Sequence, residues 1–308
     1  MLVTVCIATF QRPEGLKRLL DALNLLTFSK CEVPDLEVIV IDNDSSASAS
    51  AVCEKMTDFK WRLKYYIEPQ RGISYARNRA VASIDKNSRF LVFIDDDEVP
   101  ESNWLDELLF VQDSYQADVV AGAVVPVFPE PDTPSWASEG KFFQYGRFPT
   151  GHFLDVAFTN NVLINTEIFE KFDTIFDKRF ALSGGEDAHF FMRVYLQGYK
   201  MVWADEALVY EWIPKSRTNI PWVLRRGFRT WGSHSICERE LQPSIKVLLI
   251  RIAKGITLVL YGLLLLLPSL LRKRYRFIQA LLNISRGFGT LFGLAGWSYQ
   301  EYQKVHKV

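Results

Sequence analysis

A buried strand that ends in three consecutive aspartates constrains this chain more than any other feature. Phe90–Ile94 is a run of five apolar residues, and Asp95, Asp96 and Asp97 follow it at once. Such a run, rich in β-branched and aromatic side chains, is typical of a strand inside an α/β sheet. Open α/β sheets bind ligands beyond the carboxyl ends of their strands. The three carboxylates are therefore expected at a ligand-binding edge.

The aspartate triplet has two interpretations that the triplet alone does not separate. Like charges this close repel unless a positive charge lies between them. A divalent cation that carries phosphates would supply that charge, and oxygen ligands suit Mg²⁺ or Mn²⁺. The alternative is a solvated acidic turn that simply follows the strand.

Strand-like and helix-like segments alternate along the first part of the chain. Apolar runs at 2–8, 36–41, 63–67 and 90–94 are separated by segments with helical spacing. This alternation predicts a parallel sheet with helices on both faces, and right-handed crossovers make it a Rossmann-like half. Further along, the patterns predict strands at 119–127, 158–165, 200–204 and 207–212, helices at 104–115 and 187–197, and a long proline-rich loop at 126–152.

A formal net charge of zero hides an acidic body and a basic tail. Residues 241–308 contain ten Lys or Arg and one Glu, a net charge of +9, so residues 1–240 carry −9. We therefore predict a body over 1–240 and a separate region over 241–308.

The body has no basic patch, so nucleic-acid binding is not expected. The four cysteines show no zinc or disulfide spacing. The N-terminus lacks a signal-peptide pattern, which predicts a cytoplasmic body.

The basic tail is also strongly apolar, which predicts membrane association. Residues 255–271 contain no charged residue, and the basic cluster 272–276 follows directly. Seventeen residues are at the lower limit of a membrane span. A single span would place the basic cluster outside, against the positive-inside tendency. A re-entrant or in-plane hairpin is therefore favoured; a two-helix span and a buried helical subdomain are the alternatives.

Charged residues also stand at the ends of two other predicted elements. Asp42 and Asp44 follow the second strand and could accept hydrogen bonds from a nucleobase or ribose, although an Asx turn would also explain them. Arg71, Arg77 and Arg79 surround a helix that opens with glycine, where guanidinium groups favour an anionic ligand. A solvated helix face is the alternative.

A second acidic motif, Gly-Gly-Glu-Asp, occupies positions 184–187. The two glycines permit a close backbone approach to a ligand. Asp187 at a helix start could be a cap or a general base that deprotonates a hydroxyl. His189 is interpreted as structural, because it has no His or Cys partner. A later group of cations and aromatics could bind phosphate and sugar or form an interfacial belt. Its members are Arg217, Trp222, Arg225, Arg226, Arg229 and Trp231.

Together these motifs resemble the family 2 glycosyltransferases of the GT-A fold. The resemblance runs from Val3 to about Gly232, and the family's motifs occur in order at 5–12, 40–45, 76–78, 95–97 and 185–187. The Phe-x-Asp-Asp-Asp-Glu strand end and the segment Asn161–Ile164 are most similar to the succinoglycan-type exopolysaccharide glucosyltransferases. The resemblance implies an α/β fold: a Rossmann-like mixed sheet flanked by helices. The apolar, basic helical region that follows lies outside the resemblance, and its membrane association is predicted from its composition alone.

The resemblance implies inverting transfer of a sugar from a nucleotide-diphosphate sugar, with a UDP-sugar favoured and Mg²⁺ or Mn²⁺ as cofactor. Asp187 would be the catalytic base, and Glu186 would help to bind the acceptor. Asp95 and Asp97 would hold the cation, with Asp97 nearest to it. The donor-binding residues would be Thr9, Arg12, Asp42, Asp44, Arg77, Asp95 and Asp96.

The implied acceptor is a lipid-linked saccharide of bacterial surface polysaccharide or exopolysaccharide synthesis. It would be reached at the cytoplasmic face of the inner membrane, whose surface residues 245–308 would contact. Processive synthases of the family carry Gln-x-x-Arg-Trp, whereas 226–231 reads Arg-Gly-Phe-Arg-Thr-Trp. This departure favours the addition of a single sugar. Two other classes are weighed: a nucleotidyltransferase, which usually needs a glycine-rich loop where 8–15 offers only Gly15, and a non-catalytic scaffold of a polysaccharide assembly complex.

Overall fold

The computed structural model describes residues 1–129, 131–297 and 299–301. Within them, eight strands form one sheet in the order β3-β2-β1-β4-β7-β6-β8-β5. The strands are β1 (Leu2–Thr9), β2 (Asp35–Asp42), β3 (Arg62–Ile67), β4 (Ser88–Ile94), β5 (Glu98–Pro100), β6 (Val119–Val127), β7 (Asn161–Asn165) and β8 (Met201–Trp212). The α-helices are α1 (Pro13–Leu23), α2 (Ser50–Glu54), α3 (Ile73–Ser83), α4 (Trp104–Tyr115), α5 (Ser135–Glu139), α6 (Glu186–Leu196), α7 (Ile220–Leu241), α8 (Ile245–Leu270) and α9 (Arg274–Leu294).

The first half of the sheet is the parallel, Rossmann-like half predicted from the sequence. β1 pairs in parallel with β2 and β4, and β2 pairs in parallel with β3. Alternate side chains of β1 enter the two main apolar clusters: Val3 and Val5 pack on one face of the sheet, and Cys6 packs on the other. Helices cover both faces, so the central strands read as continuous apolar runs.

The second half of the sheet is mixed and differs from the sequence prediction in three details. β7 runs antiparallel to β4 and β6, and it begins at Asn161 rather than at 158. β8 is one strand of 12 residues instead of two short ones, and its pairing with β6 shifts register between Gly122 and Val124. The three-residue strand β5, which was not predicted, pairs with β8. This pairing joins the end of β8 to the segment after Asp95–Asp97.

Asn161 is a buried polar side chain that connects three elements of the second half. Its Oδ1 accepts a hydrogen bond of 2.8 Å from Trp104 Nε1, and its Nδ2 donates to the carbonyls of Ala123 and Ala207. Asn161→Ala would leave these three buried groups without a partner. We expect a loss of about 2–4 kcal/mol of unfolding free energy. Chemical denaturation of the variant, with the exposed-turn change Asn87→Ala as control, measures it; equal stability of the two variants would contradict the assignment.

The three C-terminal helices pack as a layered group, with α9 between α7 and α8. Ile278 and Leu282 of α9 join a third apolar cluster with Trp136, Phe143 and Trp222 of the preceding part of the chain. Glycines permit the close approach: a Cβ atom on Gly289 or Gly293 would collide with the backbone of α7. Small residues of this kind let helix backbones pack tightly. The hairpin formed by α8 and α9 is therefore built onto the body.

α8 presents a long apolar face to its surroundings. Leu260, Leu264 and Leu267 are 60%, 73% and 77% exposed, and several further apolar side chains along the same helix are also exposed. Among the described residues, one helix, Ile245–Leu270, has the length and the apolar composition needed to cross a membrane. Burying an exposed leucine contributes about 1.5–3 kcal/mol. This face is therefore a strong candidate for contact with an apolar phase.

Candidate active site

Two adjoining cavities open at the carboxyl ends of β1, β2 and β4. The first encloses about 220 Å³ and is lined by residues that include Thr9, Arg12, Asn43, Gly72, Arg77, Asp95, Asp97, Glu211 and Arg217. The second encloses about 500 Å³ and lies between the Gly-Gly-Glu-Asp motif and the C-terminal helices. Their walls share Arg77, Asp95, Tyr145, Arg226 and Arg229.

Asp96 and Asp97 are buried and ion-paired, so they do not form a solvated acidic turn. Asp96 accepts hydrogen bonds from Thr9 Oγ1 and Arg12 Nη1, both at 2.8 Å. Asp97 Oδ2 lies 3.0 Å from Arg12 Nη1 and 3.0 Å from Arg217 Nη1. Burial raises the pKa of Asp97, but the two guanidinium groups outweigh it and the net shift is downward. Asp96 therefore ties the end of β4 to the end of β1, a role the sequence did not indicate.

Arg77 lines both cavities and contacts two carboxylates in their walls. Its Nη2 lies 3.3 Å from Asp95 Oδ1, and its Nη1 forms an ion pair with the buried Glu186. Burial, assisted by neighbouring acids and opposed by Arg77, raises the pKa of Asp95 to about 7 and that of Glu186 to about 7.

Asp95 fits a divalent cation that arrives with phosphates. The described residues contain no group of three or more His, Cys, Asp or Glu side chains arranged as a metal centre. Mg²⁺ in phosphate-transfer sites needs only one or two carboxylates, because the substrate supplies further oxygens. The Asp95 side chain is 37% exposed and lines both cavities, so a cation in either cavity can reach it. Asp97 is accessible to a cation only in competition with Arg12 and Arg217.

Asp42 and Asp44 adopt the turn that was the alternative to ligand binding. The buried Asp42 carboxylate accepts hydrogen bonds from the backbone N–H of Asp44 at 3.1 Å, from that of Ala49 at 2.8 Å and from Tyr65 Oη at 2.8 Å. Asp44 accepts one from the N–H of Ser46. Neither is among the residues that line the first cavity. Their contact with a nucleoside stays a prediction.

Asn43, which lies between Asp42 and Asp44, holds the loop that precedes α3 by hydrogen bonds. Its Oδ1 accepts a hydrogen bond of 2.7 Å from the N–H of Gly72, and its Nδ2 donates to the carbonyls of Glu68 and Gln70. Gly72 has φ of +139°, and a Cβ atom there would lie 2.7 Å from Ala181 Cβ. Only glycine adopts this conformation readily. The loop thereby brings the start of α3, and with it Arg77, to the cavity wall.

The Gly-Gly-Glu-Asp motif places Asp187 at the second cavity. Gly185 has φ of +99°, and a Cβ atom there would meet Ser233 Cβ of α7 at 2.8 Å. Asp187 is the second residue of α6, and its Oδ1 accepts a hydrogen bond of 2.7 Å from the N–H of Ala188. The helix has no side-chain N-cap; Asp187 lies in its first turn, near the positive end of the helix dipole, and its carboxylate lines the second cavity. His189 is buried beside Phe180, which agrees with its structural interpretation.

The group of cations and aromatics after β8, apart from Arg225, lines the two cavities instead of forming a separate belt. Arg217 bridges Asp97 and Glu211, and Arg226 Nη2 donates a hydrogen bond of 2.9 Å to Tyr145 Oη. Trp222 is buried, and both guanidinium groups stack over its ring. Arg229 lines both cavities.

Three residues of this site were missed from the sequence. Tyr145 lies in the proline-rich loop and donates a hydrogen bond of 3.2 Å to Glu211 Oε2. Glu98 accepts one of 2.9 Å from the N–H of Asp95, and burial raises its pKa. Glu98 and Glu211 stand at strand ends, and an acid at a strand end is a pattern that the sequence could have revealed. Tyr145 is one aromatic among many, and nothing local distinguishes it.

The chain is similar to known proteins in both sequence and structure. Residues 4–173 match the family model described as glycosyl transferase family 2. The chain is 30% identical over 242 residues to the succinoglycan biosynthesis protein ExoM of Rhizobium meliloti (strain 1021), which covers 75% of this chain and 74% of that protein. It is 24% identical over 243 residues to the glycosyltransferase GlyA of Streptococcus pneumoniae serotype 4, covering 72% of this chain and 32% of that protein.

Two solved structures share the fold at low sequence identity. Residues 1–349 of S. aureus TarS, in complex with UDP-GlcNAc, superpose with a TM-score of 0.55 at 17% identity, over 95% of this chain and 92% of that one. GalNAc-T7 with UDP, GalNAc and Mn²⁺ superposes with a TM-score of 0.56 at 12% identity, over 76% of this chain and 51% of that one. At these identities the likeness concerns the fold alone.

Proposed function

Because this chain belongs to glycosyl transferase family 2, we propose that it transfers a single sugar, with inversion, from a nucleotide-diphosphate sugar to a lipid-linked saccharide. The chain is a glycosyltransferase of the GT-A fold. A UDP-sugar is the favoured donor, and bacterial surface polysaccharide or exopolysaccharide synthesis is the proposed process. One observation carries the proposal: Arg77 joins Asp95 of an arginine-lined cavity to Glu186, which stands next to Asp187 in a second cavity.

The first cavity is proposed to bind the donor. Arg12 and Arg217 supply positive charge beside Asp97, and guanidinium groups favour phosphate oxygens. Asp95, with Asp97 as the second candidate, would hold Mg²⁺ or Mn²⁺. When bound, such a cation offsets the negative charge that develops on the leaving diphosphate. The UDP-GlcNAc bound to TarS and the UDP with Mn²⁺ bound to GalNAc-T7 support this choice of ligands.

The second cavity is proposed to bind the acceptor, with Asp187 as the base. Inversion requires a base on the side of the sugar opposite the leaving diphosphate. A base in an adjoining cavity, separated from the donor phosphates by Arg77 and Asp95, suits that requirement. Glu186 is ion-paired with Arg77 and buried, so we propose that it acts on the acceptor by positioning the shared wall.

A donor screen tests this function. The purified full chain is incubated with single nucleotide sugars, Mn²⁺ and a lipid-linked saccharide fraction, and release of nucleoside diphosphate is measured. We expect one donor to be consumed and the lipid fraction to accelerate its consumption. Release of pyrophosphate from a nucleoside triphosphate would indicate a nucleotidyltransferase instead. Consumption of no donor in any combination would indicate a non-catalytic scaffold.

Residues 241–308 are proposed to hold the body, residues 1–240, at the cytoplasmic face of the bacterial inner membrane. Both ends of the hairpin contact the body: Lys273 Nζ lies 3.2 Å from Glu139 Oε2, and Arg251 forms an ion pair with Glu238. α9 lies against the body between these points. A helix packed in this way cannot cross a bilayer without taking the body with it. An in-plane hairpin that presents the exposed leucines of α8 is therefore favoured.

Replacing exposed leucines tests this membrane contact without removing a helix. Deleting residues 245–308 would also uncover the third apolar cluster, so its result would be ambiguous. The triple change Leu260→Gln, Leu264→Gln and Leu267→Gln would lower the free energy of membrane binding by several kcal/mol, because three leucines would no longer be buried in the apolar phase. We expect at least about a tenfold shift from the membrane fraction to the soluble fraction in a flotation assay. The matched changes Leu25→Gln and Val33→Gln, on exposed positions of the body, should have no effect. An unchanged membrane fraction in the triple variant would contradict the contact.

A further inference from the structure

We propose that Lys254 and Arg286, beside the ring of Trp231, bind the phosphate linkage of the lipid-linked acceptor in the second cavity. This inference rests on the proposed function and specifies which end of the acceptor is recognised by charge. It assigns a binding role to the C-terminal helices in addition to membrane contact.

The cationic part of the second cavity has more positive charge than its protein partners compensate. Lys254 of α8 and Arg286 of α9 line it, and neither forms an ion pair with a carboxylate in the described part of the chain. Arg286 Nε and Arg226 Nη1 are buried without a hydrogen-bond partner among the described residues. Buried guanidinium donors without acceptors are costly unless a ligand supplies the acceptors. A phosphoryl group supplies several charged oxygens to such donors.

Trp231 brings the two cations to the same place. Lys254 Nζ lies 4.8 Å from the centroid of the Trp231 ring, and the guanidinium carbon of Arg286 lies 5.7 Å from it. Arg251, the third cation on this side, is already ion-paired with Glu238. Lys254 and Arg286 are therefore the two cations of the C-terminal hairpin that remain available to an anion in the cavity.

The same cavity also has an acidic part, which matches the other end of the same ligand. Asp95 and Glu186 both contact Arg77 there, and Asp187 follows Glu186 in the chain. A neutral saccharide with a hydroxyl for Asp187 fits this part, because a second anion there would be repelled. A molecule with a sugar at one end and a phosphate at the other satisfies both parts.

The lipid chain of such a molecule would leave the cavity beside the apolar face of α8. Ile250 and Tyr261, which lie on the same face of that helix as Lys254, are 53% and 52% exposed. The two cations thus lie where a polar cavity meets an apolar surface. That is the position of a phosphate that joins a saccharide to a lipid.

Binding of a polyprenyl diphosphate tests the inference, because a phospholipid head group offers related chemistry. The full chain in detergent is titrated by calorimetry with farnesyl diphosphate, with farnesol as the uncharged control and UDP as the probe of the donor cavity. For Lys254→Gln/Arg286→Gln we expect about a tenfold or greater loss of affinity for farnesyl diphosphate, with affinity for UDP retained. The matched variant Arg272→Gln/Arg276→Gln removes the same charge from exposed positions of the hairpin and should bind both ligands like the wild type.

Three results would overturn the inference. Farnesyl diphosphate could bind the wild type no better than farnesol, or it could bind the double variant as tightly as the wild type. Alternatively, only adsorption to phosphatidylglycerol vesicles could fall, which would assign the cations to membrane lipids. If the affinity for UDP is retained in any of these cases, the failure concerns only the proposed acceptor site. The donor screen tests the glycosyltransferase proposal separately.

Discussion

Asp187→Asn is expected to lower the rate of sugar transfer by about 10²- to 10⁴-fold, because an amide cannot take the proton of the acceptor hydroxyl. The change should leave the fold intact. The Asp187 oxygen that accepts a hydrogen bond from the N–H of Ala188 is replaced by an amide oxygen that can accept the same bond. The measurement is the turnover rate at saturating donor and acceptor, together with UDP affinity, which we expect to stay near the wild-type value.

The exposed carboxylate Asp173 provides the control for this experiment, because Asp173→Asn removes an equal charge from the surface after β7. Transfer by the control should match the wild type. Wild-type turnover in Asp187→Asn would exclude the residue as the base, and a parallel loss of UDP affinity would show that it supports the donor cavity instead.

Asp95→Asn is expected to lower transfer by about 10²- to 10³-fold and to weaken the dependence of UDP binding on Mn²⁺. Its side chain is the more exposed of the two proposed cation ligands, and its single described ion pair is with Arg77. An amide keeps the volume and one oxygen but loses the charge that attracts the cation. The measurement is a Mn²⁺ titration of UDP affinity, with chelation of the cation as the reference state.

Asp97 is a poorer position for that test, although the sequence places it nearest to the cation. Removing it would take one buried partner from both Arg12 and Arg217, which keep Asp96 and Glu211 as partners, and weakening buried ion pairs in this way is destabilising. A loss of activity in Asp97→Ala would therefore report stability as well as chemistry. Asp58→Asn, on an exposed loop, is the matched control for Asp95→Asn. If Mn²⁺ enhances UDP binding equally in both variants, Asp95 is not a cation ligand.

The parallel half of the fold was predictable because its signals are local. Each of its strands is an apolar run. In the second half, the helix Trp104–Tyr115 and the strand Val119–Val127 also have the bounds that their own side-chain patterns indicate. The mixed half depends on pairings between distant segments. A three-residue strand such as Glu98–Pro100 is too short for any period to reveal, and it forms only because Tyr210 and its neighbours lie opposite.

In the candidate site, too, features that follow from local patterns were predictable, and contacts between distant residues were not. The sequence located Asp95–Asp97 and Asp187, since acids that follow strands or begin helices are visible as patterns. It did not show that Arg12 and Arg217 neutralise Asp97, because those residues are 85 and 120 positions away from it in the chain. It also favoured a ligand contact over an Asx turn for Asp42, and only the hydrogen bonds from Asp44, Ala49 and Tyr65 reveal the turn.

The position of α9 in the molecule has a consequence for the order in which the protein matures during translation. Ile278 and Leu282 complete the third apolar cluster, and Arg286 completes one wall of the second cavity. The strand pairings of the parallel half involve no residue beyond Ile94. A nascent chain can therefore form its first four strands early, but the second cavity is incomplete until α9 has left the ribosome and packed against α7.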